Sequence, residues 1–83
     1  MFNRKAKIVK KWRENPLPEI PIRTVEQLKV SENFHQIIIK TLDKDMNDAG
    51  IAADSPEGVE LLKIRAGFVQ HYEDIRRRFE AGQ

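Results

Sequence analysis

The sequence predicts an all-α fold: an antiparallel helical hairpin preceded by an extended, proline-rich segment and a basic N-terminal helical arm. Three observations carry this expectation. Apolar residues recur at helical spacing from Leu61 to Phe79. A glycine stop, Gly50-Ile51, divides that run from an earlier apolar run. Three prolines in the six positions 16–21 break the chain upstream. The 83 residues make one small domain. Residues 1–15 read as the basic amphipathic arm, 16–23 as the proline-rich extended segment and 24–83 as the hairpin core.

Residues 3–13 are expected to form a helix with Phe2, Ala6, Val9 and Trp12 along one side and most of the basic groups opposite. The helix ends before Pro16. Prolines exclude a helix over the next stretch, because each removes a backbone donor and restricts the residue before it. Leu17, Ile20 and Ile22 make that stretch apolar, so it is expected to lie across the hairpin or across another molecule.

Thr24 and Gln27 have the spacing of a capping box and predict a short helix carrying Val25 and Leu28. Ser31 is expected to cap the next helix, Phe34 to Asp48, with His35, Ile38, Ile39, Leu42 and Met46 on its apolar face. Gly50 suits the left-handed position after the last turn, and Ile51 can pack back on Met46 in a Schellman stop. A short link follows, which makes the flanking helices antiparallel neighbours.

The last helix is expected over Pro56 to Phe79. Ser55 is a good N-cap, Pro56 suits the first helical position, and Glu57 complements the positive helix end. Leu61, Ile64, Phe68, Tyr72, Ile75 and Phe79 fall on one stripe. A second row, Val59-Leu62-Ala66-Val69, widens the apolar face in the first half only, so this half should be covered from two sides. The proline-rich segment, the N-terminal helix or another subunit could supply the cover. Arg65 interrupts the apolar side and is expected to snorkel or to pair with an acidic group on a partner, and Gly67 is a mid-helix glycine that is either simply tolerated or permits close approach by a partner backbone, with tolerance the favoured reading.

The net charge of +2 hides a strong division. Arg4, Lys5, Lys7, Lys10, Lys11 and Arg13 meet no acid in residues 1–13. Asp43, Asp45, Asp48, Asp54, Glu57 and Glu60 face only Lys44 in residues 43–60. Such asymmetry concerns partners rather than fold.

Several function classes drop out. Without Cys there is no disulfide framework, thiolate zinc site or thiol nucleophile. The longest apolar run is Ile37-Ile38-Ile39, too short to span a bilayer. No apolar h-region marks a secretory signal, so a cytoplasmic protein is expected, with a virion component suggested by analogy of shape alone. His35 and His71 form no metal-ligand pair, Ser31 and Ser55 read as caps, and no glycine-rich phosphate loop exists. No catalytic residue, cofactor, metal or small-molecule substrate is therefore expected. Asp43-Lys44-Asp45-Met46-Asn47 resembles the opening of an EF-hand calcium loop, but the sixth position is Asp48 instead of Gly and the twelfth is Asp54 instead of Glu. A helix end accounts for the same residues.

The expected role is non-enzymatic: a protein-interaction or assembly subunit that self-associates or docks on a larger complex through its N-terminal arm. Trp12, Leu17, Ile20 and Ile22 are the candidate anchors, with Arg65 and Gly67 as further contacts. The alternative is a nucleic-acid-binding accessory protein using Arg4, Lys5, Lys7, Lys10, Lys11 and Arg13, whose cations would displace counterions from a phosphate backbone. A weaker alternative is a small protein inhibitor of an enzyme acting through the acidic middle. Against these stand two simpler possibilities: the arm is a solvated helix whose apolar side docks on the domain, or it neutralises the acidic middle of its own chain or of a neighbour.

Overall fold

A computed structural model describes residues 3–17 and 22–82. Among them are three helices and no strand: α1, Arg4–Arg13; α2, Val25–Asp48; and α3, Pro56–Ala81. Phe2 and Ile20, named above, lie outside the described residues.

Helix α1 starts where Asn3 accepts from the backbone N–H groups of Lys5 and Ala6. It ends with Lys10, Lys11 and Arg13 in its last turn, where cations complement the negative end of the helix dipole.

Helix α2 is one helix of 24 residues, which corrects the expected division at Ser31. The Thr24–Gln27 capping box is present and opens the whole helix. No Pro or Gly interrupts residues 25–48, so nothing stops it there. Ser31 is fully buried mid-helix instead of capping an end. His35 Nδ1 lies 2.7 Å from the Ser31 carbonyl oxygen. That oxygen can only accept, so Nδ1 carries the proton.

The end of α2 is a Schellman stop. Gly50 has φ +65°, the Ile51 N–H donates to Met46 O, and the Gly50 N–H donates to Asn47 O. Met46 and Ile51 are both buried.

Helix α3 runs antiparallel to α2: Arg65 meets Asp43 near the loop end, and Tyr72 meets His35 further along. Ser55 caps it by accepting from the Gly58 N–H. Helix α1 packs against both long helices, more extensively on α3.

The core gathers at the loop end of the hairpin. Val9 and Trp12 from α1 join Leu42, Met46, Ile51, Leu61 and Phe68. Two helices of 24 and 26 residues span about 36–39 Å, whereas α1 has ten residues and covers only part of them. The result is an elongated body of 51 × 18 × 18 Å. Its radius of gyration, 14.7 Å, exceeds the ~12 Å of a compact chain this long.

Gly67 is exposed, and a Cβ there would meet nothing within 4 Å. Gly67→Ala is therefore expected to stabilise the protein by about 1 kcal/mol, through helix propensity alone. Denaturant unfolding checks this; a lower midpoint would contradict the open space around Gly67.

Candidate interaction surface

Trp12 is one of the candidate anchors, and the structure places it in the core at 3% exposure instead of on the outside. Its ring meets Phe68 edge to face, with centroids 6.2 Å apart. Its indole N–H donates to Asp45 Oδ2 at 2.9 Å. Lys11 Nζ donates to the same oxygen at 2.9 Å. One turn of α1 thus supplies an apolar anchor and two donors to a single carboxylate on α2. Arg13 donates from Nε to Glu60 at 2.7 Å and also pairs through its Nη2. Helix α1 is therefore docked on the acidic middle of its own chain and does not reach outward.

The magnitudes say which effect holds α1 down. The Lys11 side chain is 58% exposed and the Arg13 side chain 60%, and pairs this wet contribute about 0–1 kcal/mol each. Burying Val9 and Trp12 contributes more, at about 1.5–3 kcal/mol for a large apolar side chain. The ion pairs set the register of α1; its apolar side supplies the adhesion.

Burial pulls the Asp45 carboxyl upward, but the hydrogen bonds from Lys11 and Trp12 and the charges of Lys11 and Lys44 together outweigh it. The net displacement is downward from the ordinary 3.8. A lowered folded value means that Asp45 contributes its full stabilisation above the ordinary value and loses it as pH falls through the folded one. Emission from the single tryptophan should stay blue-shifted at neutral pH and move red as the pH drops below about 4. Asp45→Asn should lessen this acid-dependent change; an identical acid profile in that variant would remove Asp45 from the account.

The other candidates fall in different places. Arg4, Lys7 and Lys10 are exposed and Lys5 is half-buried. Leu17 is 47% exposed. Ile22 is half-buried and shares a hollow with Ile75 and Phe79 at the far end of α3. Arg65 pairs with both carboxylate oxygens of Asp43, at 2.9 and 3.3 Å, so it ties α3 to α2. The Asp43–Asn47 stretch lies in the last turns of α2, as the helix-end reading has it.

A cleft of about 190 Å³ between α2 and α3 is lined by His35, Ile39 and Tyr72 among others. It is smaller than the roughly 300–1,000 Å³ of small-molecule sites. His35 is 2% exposed, and its Nε2 has no hydrogen-bond partner among the described residues. Burial raises the Tyr72 hydroxyl above its ordinary 10.0, and Glu32 adds to the rise through its charge and a hydrogen bond. Among the described residues no cluster of three or more His, Cys, Asp or Glu is placed to hold a metal ion. None of their helices is long and apolar enough to cross a membrane.

The feature that sequence reasoning missed lies on the outer side of α2. Val30 is 57% exposed, Phe34 48% and Ile37 63%. Spacings of four and three put them on one stripe, turned away from the buried Ser31, His35 and Leu42. Helix α1 supplies a second cover over the first half of α3 beside α2, but among the described residues the second row of α3 remains largely open, with Val59 and Leu62 exposed. The spacing carries the signal for the α2 stripe, but Phe34 also suits a helix start and Ile37 also belongs to the run Ile37-Ile38-Ile39. No protein-family model, no curated protein and no solved structure matches the chain.

Proposed function

We propose that this protein is a non-enzymatic interaction or assembly subunit, working in a cytoplasmic setting, whose contact surface is the outer face of α2. The observation that carries the proposal is the row Val30, Phe34 and Ile37, three large apolar side chains about half exposed or more on a helix whose other side is already packed. Scattered apolar residues are ordinary on a surface, but a row in helical register is what a helix offers to a partner. Leu17, Val59 and Leu62 add exposed apolar area elsewhere. Trp12 and Arg65 act on this surface only indirectly, by holding the helices in place.

The nucleic-acid reading is the weaker one. Lys11 and Arg13 are engaged by Asp45 and Glu60, which reduces the cations that could meet a phosphate backbone. The same pairs, with Asp43–Arg65, occupy much of the acidic middle that an inhibitor would present.

Affinity capture from the native source separates these readings. The tagged chain should retain a protein partner after nuclease treatment, Ile37→Glu should lose it, and Arg4→Glu/Lys10→Glu should keep it. Capture that vanishes with nuclease, or with the Arg4/Lys10 reversal alone, contradicts the proposal.

A further inference from the structure

The outer stripe of α2 extends beyond its three apolar residues. Glu26, Val30, Phe34, Ile37, Thr41 and Lys44 are all exposed and follow one another at spacings of 4, 4, 3, 4 and 3. From Val30 to Lys44 that is the alternation of a heptad seam, and Glu26 continues the same stripe one turn earlier. Thr41 belongs to its apolar part. Its hydroxyl donates to Ile37 O at 2.7 Å, so its polar group is satisfied within the helix and its methyl is left for a neighbour. The stripe is therefore apolar in the middle and oppositely charged at its two ends.

We infer that the partner of this face is a second copy of the chain, paired antiparallel about a twofold axis between residues 35 and 36 of the two α2 helices. The inference rests on the interaction reading above and names its occupant. A twofold contact must be self-complementary, each position meeting its symmetry mate. With the axis there, Phe34 meets Ile37 of the second copy and Val30 meets its Thr41, on both sides at once. Glu26 comes within reach of Lys44 of the second copy, and Lys44 of Glu26. Asp45 would otherwise set a like charge near Glu26, but its carboxylate is already taken by Lys11 and Trp12. A parallel pair would put Glu26 beside Glu26 and Lys44 beside Lys44, and like charges at an interface oppose association. The stripe thus selects orientation as well as partner.

The apolar seam from Val30 to Thr41 is about 16 Å long. That falls short of the contact in a permanent dimer, so the pair should be weak, with a dissociation constant in the micromolar range.

Sedimentation equilibrium of the full chain over a concentration series tests the inference. Wild type should pass from monomer to dimer. Ile37→Glu should remain monomeric while keeping its helical circular dichroism and thermal midpoint, because the side chain lies outside the core. Glu26→Lys and Lys44→Glu should each raise the dissociation constant about tenfold, through two symmetry-related contacts. The double reversal E26K/K44E should restore it. A monomer at every concentration overturns the inference, as does a dimer indifferent to Ile37→Glu or a double reversal no better than its singles. If wild type is monomeric but Ile37→Glu still loses a captured protein, the second copy is wrong and the interaction surface stands. If it is monomeric and capture is unaffected, both fall.

Discussion

Trp12→Ala is expected to destabilise the protein by about 3–5 kcal/mol, the usual cost of removing a buried large aromatic side chain. A chain of this length has about 4–12 kcal/mol in all, so this one change can consume most of it. The loss has three parts. The core loses the largest side chain that α1 contributes, Phe68 loses its edge-to-face neighbour, and Asp45 loses one of its two donors. Trp12→Phe separates them. It keeps an aromatic ring against Phe68 and removes the N–H, and should cost about 1–2 kcal/mol. Urea unfolding followed by far-UV circular dichroism reads both variants. A Trp12→Ala midpoint close to wild type would mean that α1 is not part of the folded core.

Gly58→Ala should destabilise by about 3 kcal/mol, although alanine is ordinarily the better helix residue by about 1 kcal/mol. A Cβ at position 58 would stand 1.9 Å from the Ala52 carbonyl oxygen. That oxygen cannot easily withdraw. It accepts from the Ser55 hydroxyl at 2.6 Å and from the Ser55 N–H at 3.1 Å, and the Ser55 hydroxyl oxygen in turn accepts from the Gly58 N–H at 3.0 Å. Moving Ala52 therefore disturbs the cap of α3 and the loop that seats the buried Ile51. Gly67→Ala is the control on the same helix, with open space around it and the opposite expected sign. Thermal unfolding of the two variants side by side isolates the loop contact from helix propensity. Gly58→Ala matching Gly67→Ala would refute the close approach.

The elements were legible in the sequence where local signals agreed. The Thr24–Gln27 box, the Gly50 stop and the Ser55-Pro56 start each mark a boundary, and each stands where expected. His35, Leu42 and Met46 are buried as their spacing foretells. Ser31 misled because it is a good cap residue in sequence and a small buried side chain in space. With no breaker from Val25 to Asp48, its place four residues before His35 on the inner face was the better guide.

The fate of α1 was not decidable locally. A short helix with Val9 and Trp12 beside six cations is equally suited to a nucleic acid, an acidic partner or its own domain. What decides is that Asp45 and Glu60, 33 and 47 residues further along from Trp12 and Arg13, lie beside it in the fold. Gly58 was hidden for the same reason, since its constraint comes from the path of the loop and leaves no mark on its neighbours. The outer stripe of α2 was hidden by a different cause: its spacing is visible, but exposure depends on which of two apolar faces the rest of the chain chooses to cover.

Helix α1 is folded into the core, and the outer face of α2 is, on the proposal above, left for other molecules. Amide chemical shifts test this most directly, recorded as the protein concentration rises and again as short nucleic acid is added. The expected result is movement at Val30, Phe34, Ile37 and Thr41 with rising concentration, and little at residues 4–13 in either titration. Movement concentrated in residues 4–13, with the α2 stripe unchanged, would contradict it.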